Sequence, residues 1–156
     1  MTDEPAESFA LARAAAGVLF FSDRDRVMLV EPSYRDYREI PGGIIERGET
    51  PREAAAREVQ EELGISPAIG RLLVADWAPE QPEGDKVLFV FDGGTLTGDQ
   101  LAAIELDPGE LVGYAFHDIG RVHELTIDRL ARRIVHGHAA WLDGGTRYLE
   151  HGERTP

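Results

Sequence analysis

Three glutamates, Glu58, Glu61 and Glu62, crowd into the stretch REVQEELGI. An α-helix turns about 100° per residue, which puts Glu61 about 60° to one side of Glu58 and Glu62 about 40° to the other. The three carboxylates then share one face, at the i, i+3 and i+4 spacings where side chains are neighbours. Like charges at those spacings repel. Either solvent screens them or a cation sits among them. Upstream, the glycine-rich entry PGGIIERGE adds Glu46 and Glu49. Oxygen-only donors at this density suit Mg²⁺ or Mn²⁺, and the spacing does not match a calcium loop of the EF-hand type.

The elements that must hold these groups can be read from pattern. Thr50, Pro51 and Glu53 form a capping-box start, and Gly64 suits the C-cap, so the spacing predicts a helix ending at about Leu63. A narrow apolar stripe of Ala55, Ala56, Val59 and Leu63 lets that helix dock on a core. Apolar runs predict strands over 11–21 and 27–31, joined as a hairpin, and over 68–77, 86–94 and 110–118. Residues 38–45 read as extended, interrupted by a Pro-Gly-Gly turn. A short helix is expected at 99–104 and a longer one over 124–142. Residues 1–10 read as a flexible acidic tail, 78–85 as an acidic proline-rich loop and 143–156 as a terminal loop. The order implies one domain over 11–156 with a sheet between helices, an α/β/α or α+β arrangement.

Composition narrows the function. Sixteen Lys and Arg against 29 Asp and Glu give a net charge of −13, which argues against a nucleic-acid polymer as partner. It leaves room for a small phosphate ligand, because bound metal inverts a local field. The chain has no cysteine, which excludes thiolate chemistry and disulfides. No apolar run is long enough for a membrane span and no signal peptide is visible, so a cytoplasmic location is expected.

Gly43, five residues, Glu49, seven residues and then REVQEELGI match G-x5-E-x7-R-E-U-x-E-E-x-G-U, U being apolar, at every defined position. The stretch Gly43–Ile65 thus resembles the Nudix box. The resemblance implies the Nudix fold, an α/β mixed β-sheet sandwiched between helices. It also implies a Mg²⁺- or Mn²⁺-dependent pyrophosphohydrolase acting on a nucleoside diphosphate linked to another moiety, X. Water attack on a phosphorus would give a nucleoside monophosphate and phosphorylated X. By the same resemblance Glu58 and Glu62 are metal ligands, Glu61 is a ligand or its partner, and the Gly43 carbonyl joins them. Arg57 is the arginine that orients box glutamates, Glu49 first among them. A homodimer is common in the fold. The alternative is a nucleotide-binding sensor without turnover, although such sensors usually lack a box glutamate. An isomerase of the same fold would need a cysteine.

Outside the box, Arg38 occupies the slot where many relatives have an aromatic residue, and it could meet a phosphate. Tyr37 or Tyr34 could stack on a base, and Trp77 could line the pocket. The general base is expected at Glu110, which follows the turn LDPG and opens a strand. Glu49 is the candidate within the box, and Glu105 and Glu83 are weaker ones. His136 and His138 are read as surface residues.

Overall fold

The computed structural model describes residues 8–156 apart from 81–83. Most of the expected acidic tail (residues 1–7) and the candidate Glu83 lie outside the described residues. The chain runs β1 (Arg13–Asp23), β2 (Arg26–Pro32), β3 (Gly42–Ile44), α1 (Pro51–Leu63), β4 (Leu72–Glu80), β5 (Gly84–Gly94), α2 (Gly98–Ala102), β6 (Leu111–Asp118), α3 (Val122–Leu125), α4 (Asp128–Asp143), β7 (Arg147–Glu150) and β8 (Glu153–Arg154). The strands form one mixed sheet in the order β6-β2-β1-β5-β4-β7-β8, and β3 pairs with β1.

Alternation along β1 and β2 explains the layers. Val18, Phe20, Met28 and Val30 point to one face, where Ala54, Ala55, Val59 and Leu63 of α1 cover them. Leu19, Phe21, Val27 and Leu29 point to the other, under Leu130, Ala131, Ile134 and Ala140 of α4. A period of two on the strands meets a helical period on each side, and both faces of the sheet are buried. In α1, Ala54 is buried and Ala56 is exposed, so the apolar stripe lies closer to the acidic face than the sequence suggested.

Several elements differ from the sequence reading. Gly42 and Gly43 do not form a turn; they pair with Gly17 and Ala16 as strand β3. The stretch 78–85 is mostly hairpin, because β4 and β5 continue pairing as far as Glu80 and Gly84. The C-terminal stretch is not a loop. Its β7 adds a parallel strand to β4, and β8 folds back on β7. The predicted helix over 124–142 breaks at Thr126, whose backbone is extended and whose hydroxyl donates to the Arg38 carbonyl at 2.6 Å. That bond, with Arg38 N–H to Leu125 carbonyl at 3.0 Å, ties the loop before β3 to the start of α4. His138 is buried, not exposed: it sits one turn after Ile134 on the packed face, beside Phe21 and Trp141, with Nε2 against the Arg24 carbonyl. His136, two residues earlier, stays half-buried.

A buried ion pair joins α4 to the sheet. Asp76 of β4 is fully buried and its carboxylate takes the Arg133 guanidinium. Its second oxygen accepts the Gly152 N–H at 2.9 Å, which fastens the turn between β7 and β8. Removing one partner of such a pair leaves the other charge buried. Asp76→Asn is expected to lower unfolding stability by about 3 kcal/mol or more, read as a lower urea midpoint.

Candidate functional site

Helix α1 starts as its sequence signals. The Thr50 hydroxyl accepts the Glu53 N–H at 3.2 Å, Pro51 takes the first turn, and Gly64 closes the helix at φ +71°. The acidic side of this helix faces β3 across the two glycines. At Gly42 (φ +154°) a Cβ would lie 2.3 Å from the Ala16 carbonyl oxygen. At Gly43 it would lie 2.4 Å from Glu58 Oε1. Only glycines let β1, β3 and the carboxylates of α1 approach this closely.

Within this contact the glutamates separate into two environments. Arg57 grips Glu49 with two bonds, Nε to Oε2 at 2.7 Å and Nη2 to Oε1 at 2.9 Å. Its Nη1 reaches Glu58 at 2.9 Å and Glu61 at 3.3 Å, and Nη2 also donates to the Ile44 carbonyl at 3.0 Å. The bidentate bonds and the adjacent charge hold Glu49 below the usual carboxylate range. Much of the repulsion read from the sequence is therefore balanced by Arg57, a neighbour on the same helix.

Glu62 faces the other way. It is 7% exposed and Oε1 accepts the Gly42 N–H at 3.2 Å. Burial pushes its carboxyl up to about 8, helped by the charge of Glu58 and, more weakly, of Glu110, and opposed by the Gly42 bond. Burial raises Glu58 as well, opposed by the Arg57 bond and charge beside it.

A cavity of about 240 Å³ opens on this pair, lined by Glu58, Glu62, Gly43, Tyr34, Glu39 and Glu110 among others. Glu110 thus faces the box glutamates across the cavity, delivered by the turn in which its N–H meets the Asp107 carbonyl at 2.9 Å. Glu61 is outside this cavity, with its side chain half exposed beside Arg57. Glu105 is at the far end of α1, where its N–H donates to the Leu63 carbonyl at 2.8 Å. Arg38 is paired with Glu31 at 3.1 Å and lines a separate small cavity. Trp77 is half-buried on β4 and lines neither this cavity nor the larger one beyond it. Tyr37 lines the larger one, and the Arg35 guanidinium lies over its ring, 5.4 Å from the centroid, as it does over Tyr34.

Glu39 had no part in the sequence reading. It bridges to Val30 just before the glycines, it pairs with Arg35 at 3.1 Å, and burial raises its carboxyl. The only signal for it was its place three residues before Gly42.

Residues 11–138 match the model of the NUDIX domain. The chain belongs to the Nudix family. It is a Nudix-type hydrolase. It is 27% identical over 124 residues to an ADP-ribose pyrophosphatase of Methanocaldococcus jannaschii, spanning 77% of this chain and 69% of that protein. It is 48% identical over 89 residues to human diphosphoinositol polyphosphate phosphohydrolase 3-alpha, spanning 56% of this chain and only 54% of that one. Its fold resembles that of a UDP-X diphosphatase with a TM-score of 0.73, at 22% identity, over 94% of this chain and 70% of that structure. Among the described residues, no helix of this Nudix hydrolase is long and apolar enough to cross a membrane.

Nudix enzymes generally use divalent metal ions, and the residues present fit one. Among the described residues no three carboxylate or imidazole groups are already drawn together as a metal cluster. Arg57 bonds Glu58 at 2.9 Å and Glu61 at 3.3 Å, so both are engaged by a cation of the same helix. The Glu58 carboxylate laid over Gly43 and the buried Glu62 beside it offer the hard oxygen donors that such a cation takes.

The raised carboxyl of Glu62 has a consequence for stability. Between about pH 4.5 and 8 the folded chain keeps a proton that the unfolded chain releases, so its contribution to stability falls as pH rises through this window. The melting temperature of EDTA-treated protein is expected to show that fall, and Glu62→Gln to flatten it. Added Mg²⁺ or Mn²⁺ should raise the melting temperature more at pH 8 than at pH 5. Replacing Glu58, Glu61 and Glu62 together by Gln should remove the response to metal; an undiminished response would place the cations elsewhere.

Proposed function

We propose that this chain is a metal-dependent pyrophosphohydrolase that cleaves a nucleoside diphosphate linked to a moiety X into a nucleoside monophosphate and phosphorylated X. The observation that carries this reading is the convergence of Glu58, Glu62, Glu39 and Glu110 on one cavity over a glycine pair. Four carboxyls around a space of about 240 Å³ repel a phosphate unless positive charge enters with it.

Glu58 and Glu62 would hold Mg²⁺ or Mn²⁺ with the Gly43 carbonyl, and Glu61 would support them from the Arg57 side. Bound there, a divalent ion neutralises phosphate charge and lowers the pKa of water. Arg57 is a positioning residue: its bonds to Glu49 and Glu58 fix where the ligand carboxylates point. Glu110 is the general base, taking the proton of the attacking water on its carboxylate. Glu49 is less suited to that role, because both of its oxygens already accept from Arg57. Tyr37, on the larger cavity next to the carboxylates, is placed to meet the part of the substrate beyond the diphosphate.

The names of the relatives suggest ADP-ribose, UDP-linked diphosphates and a diphosphoinositol polyphosphate as compounds to test, beside 8-oxo-dGTP and dinucleoside polyphosphates, each with Mg²⁺ and with Mn²⁺. Turnover of at least one is expected; nucleotide binding without turnover of any would mark a sensor. Glu58→Gln and Glu62→Gln should each lower kcat by at least about 100-fold without changing the fold, the scale of other lost electrostatic groups at a reacting centre. Glu110→Gln should lower kcat by about 100-fold or more with little change in KM. Full activity of Glu110→Gln across the neutral range, beside an inactive Glu49→Gln, would move the base into the box.

A further inference from the structure

We propose that Arg35 is a substrate-binding residue that holds the phosphate of the diphosphate facing the larger cavity, and that Tyr34, Tyr37 and Glu39 set its guanidinium for that task. This deepens the reading above and rests on it for where the diphosphate lies.

The need arises from the carboxylate cavity itself. Glu39, Glu58, Glu62 and Glu110 line it and, among the described residues, no lysine or arginine does. A diphosphate carries charge on both phosphates, and a cation held by Glu58 and Glu62 serves the one that reacts. Arg57 is engaged by Glu49, Glu58 and Glu61, and Arg38 pairs with Glu31 on a separate small cavity. Arg35 stands where the carboxylate cavity meets the larger one of about 810 Å³. It lines the larger one and pairs through Nε at 3.1 Å with Glu39, which lines both.

Several contacts fix the guanidinium at this boundary. Besides the bond from Nε to Glu39, Nη1 donates to the Tyr37 hydroxyl. The group also lies over the rings of Tyr34 and Tyr37, 5.4 Å from each centroid. Tyr34 lines the carboxylate cavity and Tyr37 the larger one, so the arginine over both sits on the rim between them. Its side chain is still 44% exposed. A guanidinium has five N–H donors in a rigid fork, so one bound at Nε and Nη1 keeps donors for an anion. A partner for Glu39 alone would need neither the tyrosine rings nor an exposed edge.

The loop that carries Arg35 is tied to the site at both ends. The Ser33 N–H donates to the Glu110 carbonyl at 2.8 Å, and the Ser33 hydroxyl donates to the Gly109 carbonyl at 2.9 Å. At the other end Arg38 is bonded to Leu125 and Thr126, and Glu39 bridges to Val30. The turn that delivers Glu110 and the loop that delivers Arg35 therefore share one frame. A phosphate held by Arg35 is registered against Glu110.

The test is calorimetric binding of the methylene analogue of ADP, whose bridging carbon resists hydrolysis, to the full chain with Mg²⁺. Arg35→Gln should weaken binding by at least about tenfold, the scale of a lost hydrogen bond to a charged group. Arg35→Lys should recover only part of it, because an ammonium lacks the fork and the stacking surface. The double variant Arg35→Gln, Glu39→Gln separates contact with phosphate from neutralisation of Glu39. It leaves no unpaired charge at position 39, yet should still bind at least about fivefold more weakly than wild type. Recovery of the wild-type affinity in that variant would mean that Arg35 serves only Glu39, and would overturn the proposal. So would an unchanged affinity in Arg35→Gln, or no measurable binding to the wild type. Should Arg35→Gln fail to fold, Arg35→Lys keeps a charge beside Glu39 and carries the comparison, an affinity equal to wild type then overturning the proposal. Failure to hydrolyse any diphosphate would overturn the proposed reaction and leave this binding comparison to decide the role of Arg35.

Discussion

The site depends on how closely three backbones approach one another. Strand β3 can lie against β1 only because Gly42 has no side chain to strike the Ala16 carbonyl, and α1 can lay Glu58 over β3 only because Gly43 has none either. A larger residue at Gly42 would strike the β1 backbone, and one at Gly43 would displace the Glu58 carboxylate from its place over the strand. The apolar contacts of Ala54, Ala55, Val59 and Leu63 with the sheet supply the force that holds this approach.

Electrostatics follow from that geometry. One guanidinium, Arg57, serves the exposed side of the cluster and keeps Glu49 ionised and occupied. Among the described residues no such cation is bonded to Glu62, and burial raises its carboxyl to about 8. The two halves differ because one lies in reach of water and a long basic side chain and the other is sealed against Gly42. A buried carboxyl that must lose its proton to ligate a cation would couple the proposed metal binding to pH.

A different buried charge organises the C-terminal turn. Asp76 holds Arg133 of α4 and the N–H of Gly152, so the sheet, the helix and the C-terminal turn meet at one carboxylate. Arg129, Arg132 and His151 line the larger cavity beside this junction. Glu39 lines both that cavity and the carboxylate site.

By itself the sequence determined what local spacing encodes. The Thr50–Glu53 cap, the Gly64 stop and the register of Glu58, Glu61 and Glu62 follow from helical geometry, and the fixed positions of the box pointed to the family before any coordinates. The alternating strands and the placing of Glu110 after a turn were also readable, because each depends on a few neighbouring residues. What only the tertiary structure decided involves residues far apart in the chain. It turned the Pro-Gly-Gly stretch into a paired strand and the C-terminal loop into β7 and β8, because backbone groups there find partners on β1 and β4. It buried His138 and broke the long helix at Thr126 through contacts with Arg24 and Arg38. It also buried Glu62 and left Glu61 half exposed beside Arg57, since burial and charge pairing belong to the packed chain and not to its spacing.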